Sequence, residues 1–200
     1  MTTEILRIDG QVPDPAQAMR AAGLIRQGAI VALPTETVYG LAVNGDDPNA
    51  VKRLYAVKER PHDKPFAVLV AGTDQVKKVV GDMPSASINR IMKTFWPGPL
   101  TLILKAGHGK VGLRMPDNKA ALAIIREADF PVFATSANVS GGRAAADADE
   151  VLRIFEGRID AIVDDGSSAA GTASTILDCT KEPFEVLREG ALAGKLRRYC

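Results

Sequence analysis

The sequence predicts an α/β domain of the α+β type, with a twisted mixed sheet flanked by helices. Three observations predict it. Short apolar runs of strand length alternate with amphipathic stretches of helix length along most of the 200 residues. One or two adjacent strand pairs interrupt the alternation, which calls for antiparallel as well as parallel pairing. No internal repeat, low-complexity tract or linker divides the chain, and 46% hydrophobic content is ordinary for one globular domain.

The elements follow in order. Asp14-Pro15 before AQAMRAAGLIRQG gives an N-cap, a proline at the first helical position and Gly28 as the stop. Ala18, Ala21, Ala22 and Ile25 fall on its core face. Ala29 to Leu33 and Val38 to Val43 read as strands around a Pro34 break, and Asn44-Gly45 as a turn. Asp47-Pro48 repeats the cap-and-proline signal for a helix ending near Lys58, because Pro61 disfavours helix at Arg60. Phe66 to Val70 is an apolar strand. Thr73 is expected to cap one helix, and another follows Pro84 until Trp96-Pro97-Gly98-Pro99 stops it. Leu100–Lys105 and Val111–Met115 form a hairpin, Asn118 starts a helix, and Pro131 to Thr135 is a strand entering the polar loop from Ser136 to Gly141. Asp147 and Glu150 pair as a capping box before Val151, Leu152, Ile154 and Phe155. Ile159–Val163, Ser174–Leu177 and Phe184–Leu187 are extended. Residues 1–190 are expected to be the domain and 191–200 a weak helix or tail, with SSAAG (167–171) the most flexible-looking stretch.

Composition narrows the function. Twenty-five basic against 24 acidic residues give a formal charge of +1, which argues against tight duplex binding through bulk charge. The two cysteines, Cys179 and Cys200, make no framework and have no Cys-x-x-Cys spacing, so a reducing cytosol is expected. MTTEILRIDG has neither a basic n-region nor an apolar h-region. No apolar run nears the roughly 18 residues of a membrane span. A soluble cytoplasmic protein is the expectation.

Several chemistries lack their parts. Gly107-His108-Gly109-Lys110-Val111-Gly112 fits G-x-G-x-x-G, but a strand rather than a helix follows it, so it reads as a hairpin turn. There is no Walker A sequence, and His62 and His108 have no metal-ligand neighbours at useful spacing, so neither zinc chemistry nor a Ser-His-Asp triad is expected.

The cations and hydroxyls say more. Lys58 and Arg60 stand two apart where a helix unravels, able to enter one cleft as a point charge and a bidentate fork for phosphate oxygens. The competing reading is a solvated charge run, since Lys52, Arg53 and Lys64 lie nearby. Arg114 and Arg188 sit within or at the ends of apolar strands, where a guanidinium has to be paired or face a cavity. Thr35, Thr37, Thr101, Ser136, Asn138, Ser140, Ser174 and Thr175 lie at strand ends or in loops. Turn and cap chemistry is their commoner use. Three separate clusters of them, each near an Arg or Lys, fit a small-molecule site at strand ends.

On PTETVYGL (34–41), K-x-R-P-x-x-K-P (58–65), WPGPLTLIL (96–104), VGLRMP (111–116), SANVSG (136–141) and ASTILD followed by LREG, the chain resembles the YrdC/TsaC family of threonylcarbamoyl-AMP synthases, in its single-domain form. Six motifs in order make the resemblance specific, and it covers nearly the whole chain. It implies a YrdC/RibB-like fold around a deep, positively lined concave pocket. The implied reaction makes threonylcarbamoyl-adenylate and pyrophosphate from L-threonine, bicarbonate and ATP. A partner transferase complex then modifies the adenosine beside the anticodon in tRNAs that read ANN codons.

Carried over residue by residue, the resemblance gives Lys58 and Arg60 as the catalytic, phosphate-binding pair. Ser136, Asn138 and Arg188 would join them on the nucleotide. Thr35, Arg114 and Ser174 would hold threonine, Arg114 by its carboxylate, and Thr37, Thr101 and Ser140 would complete the pocket. Mg²⁺ is implied with ATP, held mainly by the triphosphate, with no metal-ligand set from the protein. Weak RNA contact is also implied, and no membrane.

Two departures stand out. Where many relatives place a Ser-Pro-Thr turn after SANVSG, this sequence has Arg143-Ala144-Ala145-Ala146-Asp147. The sequence also stops soon after the catalytic domain, so closure of the pocket is expected to come from something other than the linker and extra domain of two-domain relatives. Three rivals stay open: an RNA-binding module of the same fold without synthase activity, a paralogue that has lost synthesis, and the carbamoyl-transferring domain of hydrogenase maturation proteins. Neutral charge and missing basic-aromatic interleaving count against the first. The intact S-A-N loop counts against the second, and the missing zinc-finger-like cysteines and long chain against the third.

Overall fold

The fold is that of a computed structural model, which describes residues 2–107, 109–166, 168, 171–192 and 194–199. His108, Ser167, Ala169, Ala170 and Cys200, which enter the turn, flexible-stretch and cysteine readings above, lie outside the described residues.

Among the described residues there are ten strands: β1 (Glu4–Arg7), β2 (Val31–Leu33), β3 (Gly40–Asn44), β4 (Ala67–Leu69), β5 (Leu100–Ala106), β6 (Gly109–Arg114), β7 (Val132–Ser136), β8 (Ala161–Asp164), β9 (Thr175–Asp178) and β10 (Glu185–Arg188). The helices are α1 (Pro15–Arg26), α2 (Pro48–Lys58), α3 (Thr73–Val80), α4 (Ala86–Phe95), α5 (Lys119–Glu127) and α6 (Ala148–Phe155). The strands form one mixed sheet in the order β1-β8-β2-β3-β7-β4-β6-β5-β9-β10. The β1–β8, β2–β8, β4–β6 and β5–β9 pairs are parallel and the rest antiparallel. The mixed sheet flanked by helices is therefore as the sequence predicts. No helix among the described residues is long and apolar enough to cross a membrane.

The caps work as the residue types dictate. Asp14 and Asp47 accept from the first-turn amides of α1 and α2, with proline at the first helical position of each, and Ala18, Ala21, Ala22 and Ile25 are buried. Asp147 accepts from the Glu150 amide, while the Glu150 carboxylate reaches past it to the Ala146 amide (2.8 Å).

Three local expectations need correction. The strand expected from Val38 begins at Gly40, because the Thr35 hydroxyl holds the Thr37 and Val38 amides in a turn (3.2 and 3.3 Å) and Tyr39 bonds the Ala145 carbonyl. Thr73 does not cap α3. Gly72 occupies that position without a side-chain cap, and the Gln75 side chain takes the Ala71 amide instead (2.6 Å). The sequence reading has no strand at β1. Its four residues bury only Leu6, and their pairing partner is β8, more than 150 residues away. Leu192 and Leu196, in the 191–200 stretch expected as a weak helix or tail, are buried in the cluster under α3 and α4.

Period-2 alternation sends neighbouring strand residues to opposite faces, and each face has its own cover. On one face, Ile30, Ala32, Leu41, Val43 and Ile162 pack under α2 and α6, while Val68, Leu100, Leu102, Leu113 and Leu177 pack under α3 and α4. On the other, α1 and α5 pack over Leu6, Val31, Leu33, Ala42, Val132 and Val163. Among the described residues no helix covers β6, β5 and β9 on that second face, and the candidate site lies where the α1 and α5 cover ends.

Candidate functional site

The floor of the uncovered face is small. Register sets Ala42 of β3 opposite Ala134 of β7, Ala134 opposite Ala67 of β4, and Ala67 opposite Gly112 of β6. The methyls of Ala42, Ala134 and Ala67, all of which line the cavity, leave a hollow where bulkier residues would fill the sheet surface. The resulting cavity is walled by Thr35, Arg60, Thr101, Arg114, Ser136, Ser174 and Arg188, with Tyr39, Thr135, Pro65 and Ile176 between them. Strand ends and the loops beside them supply every polar member.

Arg114, at the end of β6, donates from Nη2 to the Thr37 hydroxyl (2.8 Å) and more weakly to that of Thr35 (3.4 Å). Its ion pair with Glu36 spans 2.9 Å, and Glu36 also accepts from the Asp117 amide. The Thr35 hydroxyl gives its single proton to the Val38 carbonyl (2.6 Å), so at the 2.8 Å Thr35–Thr37 contact Thr37 is the donor. All three residues of the Thr35-Glu36-Thr37 turn thus orient one guanidinium. Arg114 Nε is buried without a hydrogen-bond partner among the described residues, a cost that an incoming acceptor would relieve.

Arg188, at the end of β10, clamps Ser174 with Nε and Nη2 on its carbonyl (3.0 and 2.8 Å) and Nη2 on its hydroxyl (3.0 Å). Thr101 shares a hydrogen bond with the Ser174 hydroxyl at 2.9 Å. Arg60 donates to the Lys64 and Pro65 carbonyls and lies over the Phe66 ring, 5.4 Å from its centroid. Burial, then the neighbouring Arg114 and Arg60 charges, lower the Arg188 pKa. No carboxylate or imidazole lines the cavity among the described residues. Such a pocket favours a polyanion.

Lys58 and Arg60 part company. Glu59 between them takes a left-handed conformation (φ 50°) at the end of α2. Arg60 lines the cavity, whereas Lys58 is 1% exposed and stands behind the wall. Its Nζ donates to the Ser136 carbonyl (2.5 Å), the Asn138 carbonyl and the Asn138 side-chain oxygen (2.9 Å). Burial, then repulsion from Arg60, lower the Lys58 pKa to about 8. Asn138 also takes the Ser136 hydroxyl proton (2.6 Å) and gives its own amide protons to Val139 and Gly142. Thr37 and Asn138 are buried and, with the exposed Ser140, stand outside the cavity lining.

Sequence reasoning missed Glu36, the small-residue floor and Tyr39, whose hydroxyl donates to the Gly166 carbonyl (2.7 Å). Glu36 was visible as a charge between two threonines, but the floor shows only in the register. The divergent segment 143–146 is a backbone brace: Ala145 accepts from the Tyr39 amide and donates to the Ala137 carbonyl, both at 2.9 Å. No group of three or more His, Cys, Asp or Glu among the described residues could hold a metal.

The chain is similar to several known proteins. A Bacillus subtilis protein named threonylcarbamoyl-AMP synthase is 42% identical over 190 residues, covering 90% of this chain and 54% of the relative. A Cellvibrio japonicus protein of the same name is 34% identical over 152 residues, covering 71% of this chain and 80% of its own. The structure of Pyrococcus abyssi Sua5 complexed with L-threonine superposes with a TM-score of 0.88 at 37% identity, over 94% of this chain and 58% of that one. The chain thus spans about half the length of the B. subtilis and P. abyssi relatives. The Sua5/YciO/YrdC family profile, described as telomere recombination, matches residues 23–190, and this chain belongs to that family.

Proposed function

We propose that this chain is an L-threonylcarbamoyladenylate synthase, a nucleotidyltransferase acting on L-threonine, bicarbonate and ATP. The observation that carries the reading is the convergence of Arg60, Arg114 and Arg188 with the Thr101–Ser174 hydroxyl pair on one cavity without carboxylates. The relative solved with L-threonine supports the amino-acid half of it.

The chemistry fits a wall of donors. The threonine amine and bicarbonate form a carbamate with loss of water. A carbamate oxygen then attacks the α-phosphorus, and the bond to pyrophosphate breaks. The nucleophile is already anionic, so the protein aligns reactants and offsets charge rather than abstracting a proton. In this reading Arg114 takes the threonine carboxylate through its unpartnered Nε, and Ser174 with Thr101 meets the threonine hydroxyl. Arg60 and Arg188 take the polyphosphate, and Ser136 stands at the nucleotide and acyl end. Thr35 and Thr37 hold Arg114 in place, and Asn138 and Ser140 belong to the neighbouring loop. ATP would enter as its Mg²⁺ complex, since the cavity wall has no carboxylate to bind the ion.

The product would pass to a tRNA threonylcarbamoyl-transferase complex in the cytoplasm, with at most weak contact to RNA. Pyrophosphate release from ATP and bicarbonate, measured with and without L-threonine, tests the proposal. Strict dependence on threonine is expected, and threonine-independent turnover or none would overturn it.

A further inference from the structure

Lys58 is the feature that the proposed chemistry leaves unused. It is a fully buried cation, and no carboxylate among the described residues pairs with it; Arg60 is the charge that acts on it. Burying an ammonium is costly unless every proton is matched, and here three protons meet three oxygens, all belonging to Ser136 or Asn138. The Lys58 carbonyl also accepts the Ser140 amide at 2.9 Å. Helix α2 therefore holds the 136–140 loop from its last residue, through both side chain and backbone.

We infer that Lys58 is a positioning residue whose ammonium assembles the Ser136–Ser140 loop at the cavity rim, and that it does not bind phosphate. Two arguments separate these roles. A phosphate ligand needs a donor to spare, and Lys58 has none left without dismantling the loop. Its partners are neutral oxygens with lone pairs, which would repel an approaching phosphate. The inference deepens the proposed function and takes from it only the choice of ligands.

The test begins without ligand. Lys58→Met keeps the chain length and removes all three donors. Amide hydrogen exchange across residues 137–142 is expected to speed up by roughly tenfold or more, with the amides of β2 and β3 unchanged. Adenosine, AMP and ATP are then expected to lose affinity by one common factor, because the rim is displaced and no phosphate contact is removed. Unchanged exchange, or a loss that grows with each added phosphate, overturns the inference.

Should the variant not fold, ¹⁵N-lysine labelling of the wild type decides instead. A Lys58 ¹⁵Nζ signal unmoved by pyrophosphate and ATP supports loop assembly, and a shift on their addition overturns it. A wild type that binds no nucleotide or threonine would refute the function proposed above, while the exchange experiment would still decide the role of Lys58.

Discussion

The Arg114 guanidinium donates to the Thr37 hydroxyl at 2.8 Å, and this bond ties the end of β6 to the turn after β2 beside the cavity. The two residues are 77 positions apart, and each is of little use alone. Thr37 fixes the fork, and the fork leaves a buried Nε facing without a partner.

Arg114→Ala is expected to weaken threonine binding roughly 100-fold, the worth of a charge-assisted contact in a desolvated site, while changing ATP affinity far less. Calorimetric titration of each substrate checks it. Equal losses for both would move Arg114 out of the amino-acid half.

Arg188→Lys keeps the charge and loses the fork that spans the Ser174 carbonyl and hydroxyl. A fall of roughly 10- to 100-fold in kcat/KM for pyrophosphate release is expected, at about 1–3 kcal/mol for the geometry lost. Near-wild-type turnover would show that charge alone suffices there.

Ala67→Leu adds bulk to the floor at a cavity-lining position. Binding of threonine and nucleotide should be lost while circular dichroism and melting temperature stay near wild type. Retained binding would place the ligands elsewhere.

The Lys58 proton makes stability depend on pH. With the folded pKa lowered to about 8 against an ordinary 10.5, the unfolded chain holds a proton between those values that the folded chain has shed. Stability from this group therefore rises with pH across that window. Unfolding free energy relative to Lys58→Met is expected to increase from about pH 8 toward 10.5, read from denaturant midpoints at each pH. A fall across that window would show that the folded chain keeps the Lys58 proton.

Asp178 behaves in the usual carboxylate direction. Burial works to raise its pKa, but bonds from the Thr180 hydroxyl, Lys110 and the Thr180 amide outweigh it and hold the value at about 2. Its contribution is present above about pH 4 and lost as pH falls toward 2. Asp178→Asn should cost on the order of 2 kcal/mol at pH 7 and little at pH 2, read from denaturant midpoints.

Local chemistry was legible wherever it was local. The aspartate-proline starts of α1 and α2, the buried face of α1 and the β5–β6 hairpin follow from residue types within a few positions of one another. The polar members of the site were legible as strand-end hydroxyls and arginines, and six of the residues singled out for the pocket, with Thr35, do line one cavity. β1 was not legible, because four residues with one buried side chain become a strand only through β8. The direction of Lys58 was not legible either. Spacing set it beside Arg60, but the left-handed Glu59 turns the two apart, and the oxygens that hold it lie about 80 residues away.

By itself, then, the sequence determined the mixed α/β fold, the caps that start its helices and the inventory of donors for an anionic ligand. These depend on side-chain type and short-range periodicity, which a chain carries wherever it goes. Tertiary structure alone decided that Arg60, Arg114 and Arg188 share a cavity, that Ala42, Ala134 and Ala67 hollow its floor, and that Lys58 stands behind the wall. Each of those depends on strand register and on which sheet face the helices leave uncovered, and both are set only when segments distant in sequence pair.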